Sequence, residues 1–504
     1  MKVVLIQTRV SEANTFLTPI GILYIASYLR ERGHETIVFD VDPELNDPLP
    51  RLKEIAPDII GFTLMTTYYK KTDATIRLLK QKMPDVIICA GGIHPSALPK
   101  RTVVELGGGI DFVVCGEGEL VMAEVCDALE SGKTIKNIPG TIHLVGGKVI
   151  DNGRAEPISD LDIIPFPARN LLDMENYMTP PGPIKGLPLV RTTNLISSRG
   201  CKAACTFCGN QVLFDRGVRR RSVDNVISEI EHLVDDYGLN GFNFTDDVFL
   251  SDQEWAKEFC NKLIDKNLNR LRWVGTSRAN MITDEIALLM YKAGCRQLEI
   301  GVESGSPKIL KAMKKGITKK IIKRGYDIAK QNGLRRMASF IIGFPGETLD
   351  DIRQTEAFAK ELNPDFVSFF FLTPFPGSEI YDEAINNGWI PEDHDFMDDN
   401  WSIRQAEEPY MEIEFKKSEL VVIRAELQNK FFLSNFMTNL SFSFILTLLW
   451  SLLLNPKEIL RMLRLVIRTR RLDYIAEGAL RAYRYKIEAK GNKMASMDNS
   501  KQNH

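Results

Sequence analysis

Two blocks of alternating strand and helix, divided by a proline-crowded stretch, constrain this chain more than anything else in its sequence. In the first block, Val3 to Ile6, Glu35 to Asp40, Asp58 to Leu64, Asp85 to Ala90 and Asp111 to Cys115 are short runs rich in β-branched residues. Gly21 to Glu31, Thr72 to Lys82 and Glu119 to Ser131 lie between or after them with apolar residues at helical spacing. Such alternation predicts a parallel, doubly wound sheet, whose ligands bind beyond the carboxyl ends of the strands. From residue 132 the pattern lapses. Gly146-Gly147 and Asp151-Asn152-Gly153 mark turns between short strands, and Pro157, Pro165, Pro167, Pro180, Pro181, Pro183 and Pro188 favour extended chain. The second block has six strands: Asn194 to Ser198, Gly241 to Thr245, Arg272 to Thr276, Gln297 to Val302, Ala338 to Gly343 and Phe366 to Leu372. Repeating strand-helix units of this length predict a full or partial barrel with its chemistry at the carboxyl ends of the strands.

The loop after the first of those six strands reads Ser198-Arg199-Gly200-Cys201-Lys202-Ala203-Ala204-Cys205-Thr206-Phe207-Cys208-Gly209 and holds three of the chain's eight cysteines. Thiolates so closely spaced can converge on one metal centre. A structural zinc site would want a fourth ligand nearby, yet the next cysteine is Cys260 and His232 falls within a predicted helix. Three thiolates on a four-iron cluster leave one iron open for chemistry. A formal net charge of −2 predicts no bulk attraction to nucleic acid. The start, Met1 to Gln7, is too short an apolar run for a secretory signal, and the cysteines outside the loop have no framework spacing, so a reducing cytoplasm is expected.

At the strand ends of the first block stand Thr63-Leu64-Met65-Thr66-Thr67, Gly91-Gly92-Ile93-His94-Pro95 and Cys115-Gly116-Glu117-Gly118-Glu119. Glycines there let backbone approach a bulky ligand, or simply make tight turns. Thr63, Gly91-Gly92 and the Gly-Glu-Gly-Glu run resemble the cobalamin-binding domain found before many radical S-adenosylmethionine (SAM) enzymes. The resemblance implies a corrin contacted by Thr63, Met65, Gly91, Gly92, His94, Gly116 and Glu117. Gln7-Thr8-Arg9-Val10-Ser11 departs from the Asp-x-His-x-x-Gly that supplies a histidine to cobalt in other cobalamin domains. Cobalt then lacks a lower histidine, or the domain binds no cobalamin.

Residues Asn194 to Ser378 resemble the radical SAM superfamily. By that resemblance Cys201, Cys205 and Cys208 hold a 4Fe-4S cluster whose open iron chelates SAM, which is split to a 5′-deoxyadenosyl radical. Lys202 stands where relatives usually have proline. The resemblance places Phe207, Asp246, Arg278, Glu303, Gly343 and Gly346 around SAM, with Glu303 able to accept both ribose hydroxyls. Asp246 serves equally well as part of a helix cap, and Arg278 as a surface residue. Arg219-Arg220-Arg221 reads either as a phosphate site or as a solvated basic run.

The expected architecture is α/β: a doubly wound cobalamin-binding domain (1–135), a proline-rich connector (136–190), a partial (β/α)6 radical SAM barrel (191–395), a helical region (396–490) and a disordered tail (491–504). Phe431 to Leu454 is apolar but interrupted by polar residues, and Pro456 to Arg471 is amphipathic and strongly basic. Peripheral membrane association through residues 431–471 competes there with helices that cover the barrel and with a true span. The function so implied is C-methylation of an unactivated carbon in a hydrophobic, lipid or isoprenoid-like substrate, with a low-potential electron donor. The alternatives are an oxidative cyclase resembling the anaerobic magnesium-protoporphyrin ester cyclase, and a non-enzymatic cobalamin sensor or iron-sulfur carrier.

Overall fold

The structure is a computed structural model and describes residues 1–8, 17–42, 47–178, 190–397, 408–439, 456–472 and 474. The expected tail, most of the apolar stretch before Pro456 and the prolines from 180 to 188 lie outside the described residues.

Five parallel strands open the chain: β1 (Lys2–Thr8), β2 (Glu35–Val41), β3 (Ile59–Thr63), β4 (Ile87–Gly91) and β5 (Phe112–Val114). Along β1, Val4 and Ile6 enter one buried apolar cluster and Val3 and Leu5 another. Both faces are therefore covered, which is why these strands read as continuous rather than alternating hydrophobic runs. A hairpin of β6 (Thr141–Val145) and β7 (Lys148–Asp151) then adds to β5 in antiparallel fashion, giving the order β2-β1-β3-β4-β5-β6-β7. The sheet thus runs to Asp151, past the boundary expected at 135. The helices Leu49–Ile55, Ile93–Ala97 and Pro99–Glu105 were not anticipated. Each contains a proline, which is tolerated in a first turn because the lost N–H has no intrahelical partner there.

The connector is pinned to the barrel. Arg169 is buried, donates to Glu229 at 2.6 Å and to the Asn194 carbonyl at 2.9 Å, and Arg221 donates to the other Glu229 oxygen. Six parallel strands follow: β8 (Thr192–Leu195), β11 (Gly241–Phe244), β12 (Arg272–Ser277), β13 (Cys295–Glu303), β14 (Arg335–Ile342) and β15 (Phe366–Phe371). A two-stranded ladder of β9 (Ser198–Arg199) and β10 (Arg219–Arg220) stands beside them. The helices between these strands open on side-chain caps. Ser222, Asp252, Thr283, Thr318 and Thr348 each accept the N–H three residues on.

Sheet order follows chain order from β8 to β15, so the barrel is partial with β15 at an edge. The helix Lys417–Asn439 covers that edge: Gln428 accepts from the Phe369 N–H at 3.2 Å and donates to the Val367 carbonyl at 3.1 Å. This part of the C-terminal region therefore completes the barrel. No helix among the described residues is long and apolar enough to cross a membrane.

Candidate active site

The loop carrying Cys201, Cys205 and Cys208 leaves β9 at the carboxyl end of the barrel. Its entry is fixed by Asp246, which accepts the Ser197 N–H and the Ser198 hydroxyl at 2.7 Å each, and the Ser197 hydroxyl. Its far side is strapped down by the Thr206 N–H to the Met313 carbonyl and by the Ile380 N–H to the Thr206 carbonyl. A cavity of about 450 Å³ opens beside the thiols.

Cys201, Phe207, Arg278 and Glu303 line this cavity together with Cys205 and Cys208. Arg278 reaches to 3.6 Å from the Cys205 sulfur and also donates to the Lys315 carbonyl. Glu303 sits at a bulge in the β13–β14 pairing, with φ of +69°. A non-glycine residue there stores strain, a frequent mark of a working site. Its carboxylate folds back over Gly301, where an added Cβ would lie 2.3 Å from Oε1, and meets Lys315 Nζ at 2.7 Å. Gly301 is thus required by Glu303. Lys315 escaped the sequence reading because Lys314-Lys315-Gly316 looks like a solvated turn. The fold instead buries Lys315 against a carboxylate.

Three expected SAM residues stand elsewhere. The Asp246 carboxylate is buried and occupied by Ser197 and Ser198. Burial raises its pKa, against the pull of the serine donors. Its neighbour Asp247 lines the cavity instead and accepts the Gly200 N–H at 3.1 Å; burial and then the charge of Asp246 push its pKa up to about 6. Gly343 and Gly346 lie outside the cavity lining, their N–H groups donated to Glu347 at 2.6 Å and Glu414 at 3.0 Å. The basic run is neither a phosphate site nor solvated. Arg219 pairs with Glu117, Arg220 donates to Ser251 and to the Phe249 carbonyl, and Arg221 pairs with Glu229.

The donor set suits a cluster better than a single ion. The three thiols line one cavity, and among the described residues no fourth cysteine or histidine lines it with them. A structural zinc would take four protein ligands, whereas these three cysteines would hold a multi-iron centre with one iron left for SAM. Within reach, Glu303 can accept hydroxyl protons, while Arg278 and Lys315 can meet a carboxylate.

At the sheet of the first unit, Thr63, Gly91, Gly92 and Gly116 form the rim. An added Cβ on Gly92, at φ +102°, would approach the Thr63 hydroxyl to 3.0 Å and the Leu64 carbonyl to 3.3 Å, whereas one on Gly116 would meet nothing within 4 Å. Met65 is 39% exposed at the end of β3. This open, glycine-rich edge fits a flat corrin. His94 does not serve it: fully buried between Tyr69 and Phe396, it bonds Thr66 at 3.0 Å, and burial drops its pKa to about 3. The Glu117 side chain also turns away, to Arg199 and Arg219. Among the described residues no histidine reaches the rim, so cobalt there would take no imidazole from them.

Comparison with known proteins agrees with this division. Residues 6–126 match the B12 binding domain and residues 195–359 the radical SAM superfamily. An uncharacterised methyltransferase of Pyrococcus horikoshii is 32% identical over 406 residues, covering 80% of this chain and 85% of that protein. The anaerobic magnesium-protoporphyrin IX monomethyl ester cyclase of Rubrivivax gelatinosus is 30% identical over 72% of this chain and 66% of its own length. Among solved structures, the radical SAM methyltransferase TsrM of Kitasatospora setae, with cobalamin and a [4Fe-4S] cluster bound, superposes with a TM-score of 0.64. It is 21% identical, over 76% of this chain and 75% of that one. The chain belongs to the B12-binding radical SAM enzymes, and its cofactors are a 4Fe-4S cluster, SAM and cobalamin.

Proposed function

We propose that the enzyme methylates an unactivated carbon of a hydrophobic, lipid or isoprenoid-like substrate at the cytoplasmic face of a membrane. The observation that carries the substrate class is the helix Pro456–Thr469. It presents Leu460, Leu463 and Ile467 to solvent at helical spacing, Ile467 being 77% exposed, beside the exposed Arg464 and Arg468. An apolar stripe edged by arginine suits an anionic bilayer surface, where a lipid acceptor would be met. When bound, cluster and SAM supply the hydrogen-abstracting radical and cobalamin the methyl carrier. The chain's own part is to hold SAM against Glu303, Arg278 and Lys315 and to keep water from the cavity, with electrons delivered by a low-potential donor.

The test is anaerobic incubation of the reconstituted enzyme with SAM, cobalamin, reductant and a lipid extract. A lipid heavier by one methylene, formed with both 5′-deoxyadenosine and S-adenosylhomocysteine, is the expected result. The similarity to the ester cyclase favours a second reading, oxidative cyclisation. Deoxyadenosine with a new ring and no S-adenosylhomocysteine would establish that reading and overturn methylation.

A further inference from the structure

The charged residue that leads into the cysteine loop does not line the cavity. Arg199, two positions before Cys201, has a side chain only 6% exposed and forks between two carboxylates of the first unit. Its Nη1 donates to Glu117 at 2.6 Å and its Nη2 to Glu119 at 2.6 Å. The guanidinium also lies 5.5 Å from the Tyr24 ring and 5.7 Å from the Phe214 ring, so an aromatic from each unit flanks it. Arg219, paired with Arg199 across the β9–β10 ladder, donates to the other Glu117 oxygen at 2.6 Å. Two carboxylates and two guanidiniums thus balance charge inside the contact between the units.

These glutamates belong to the turn that begins at Gly116. The Gly116 N–H donates to the Ser96 hydroxyl at 2.9 Å, and that hydroxyl donates to the Gly92 carbonyl at 2.7 Å. A continuous set of short bonds therefore runs from the cobalamin rim at Gly92, through Ser96, Gly116 and Glu117, to Arg199 and the cluster loop. Buried ion pairs add little net stability, since desolvation offsets their attraction, but breaking one leaves an uncompensated charge. A forked guanidinium between two carboxylates fixes direction as well as distance.

We propose that Arg199 is a positioning residue that couples the two cofactor sites: it locks the cobalamin-side turn, residues 116–119, to the cluster loop, so that an assembled cluster tightens cobalamin binding and cobalamin tightens the cluster loop. The reciprocity follows from linkage. The inference holds whichever carbon acceptor the enzyme uses, and its test needs no substrate.

The experiment is anaerobic titration with hydroxocobalamin, followed by absorbance, of the full chain with its cluster reconstituted and of the cluster-free C201A/C205A/C208A protein. The ratio of the two dissociation constants measures the coupling, and about 5-fold or more is expected for the native Arg199. The same pair is then measured with R199M/E119Q added. This double change leaves Glu117 paired with Arg219 and strands no buried carboxylate, and iron content certifies that its loop still assembles. Its ratio should fall to about one. R199K, whose single ammonium cannot fork, should retain an intermediate ratio and serves alone if the double variant takes up no iron. A native ratio of one, or an unchanged ratio in iron-loaded R199M/E119Q or R199K, overturns the proposal. Loss of methylation with the coupling intact would instead count against the proposed substrate alone.

Discussion

Glu347 offers the sharpest test of how the turn after β14 is held. The residue is fully buried; one carboxyl oxygen accepts the Gly343 N–H at 2.6 Å and the Phe344 N–H at 3.4 Å, while the other has no partner. Burial, partly offset by those two donors, pushes its pKa up from 4.5 to about 7. Between these values the folded chain binds a proton that the unfolded chain has released, so stability falls as pH rises and the loss is complete above about pH 7. A shift from 4.5 to about 7 corresponds to about 3 kcal/mol, at about 1.4 kcal/mol per pKa unit. Glu347→Gln keeps an acceptor for Gly343 but cannot ionise. Urea unfolding of both proteins at pH 5 and pH 8 should show the variant gaining on the native chain by about 2 to 3 kcal/mol between the two pH values, because pH 5 already lies just above the unfolded pKa. Whatever constant cost the amide brings cancels in that difference. Parallel pH dependences for the two proteins would refute the reasoning, since Glu347 would then be titrating as freely in the folded state as in the unfolded chain.

Replacing Cys201, Cys205 and Cys208 together by alanine should abolish iron uptake on reconstitution; unchanged iron by colorimetric assay would remove the cluster assignment. Gly301→Ala puts a methyl group 2.3 Å from Glu303 Oε1 and 3.0 Å from Lys315 Nζ. It should weaken SAM binding at least about 10-fold by calorimetry, or about 1.4 kcal/mol, whereas native affinity would mean that the Glu303–Lys315 pair does not hold SAM. Glu229→Gln leaves Arg169 and Arg221 sharing one neutral amide in a buried site. The expected destabilisation is about 3–5 kcal/mol, and a urea midpoint equal to the native one would show that the connector needs no such pin.

What could be read before folding was whatever the chain keeps local. The parallel strands of the two large sheets were legible because each is one apolar run between turn signals, and the cysteine loop because its ligands lie within eight residues. Features that depend on distant partners were not. His94 looked like a rim residue because nothing near it in sequence says that Phe396 will close over it. Asp246 and Asp247 are adjacent and chemically alike; only the position of Ser197 decides that the first anchors the loop and the second faces the cavity. The hairpin at 141–151 resembled a connector because two short strands cannot show that a sheet edge awaits them.

The conspicuous charges at the rim show the same separation of sequence signal from role. Gly-Glu-Gly-Glu invites a reading in which glycines admit a ligand and glutamates bind it. Backbone and side chains divide the work instead. Gly116 leaves the rim open, while Glu117 and Glu119 turn to the opposite side and grip the arginine that enters the cluster loop. A corrin offers those two carboxylates no cationic partner, whereas a guanidinium buried between them balances both and orients them at once. The motif therefore faces both ways, toward the open rim with its backbone and toward the cysteine loop with its charge.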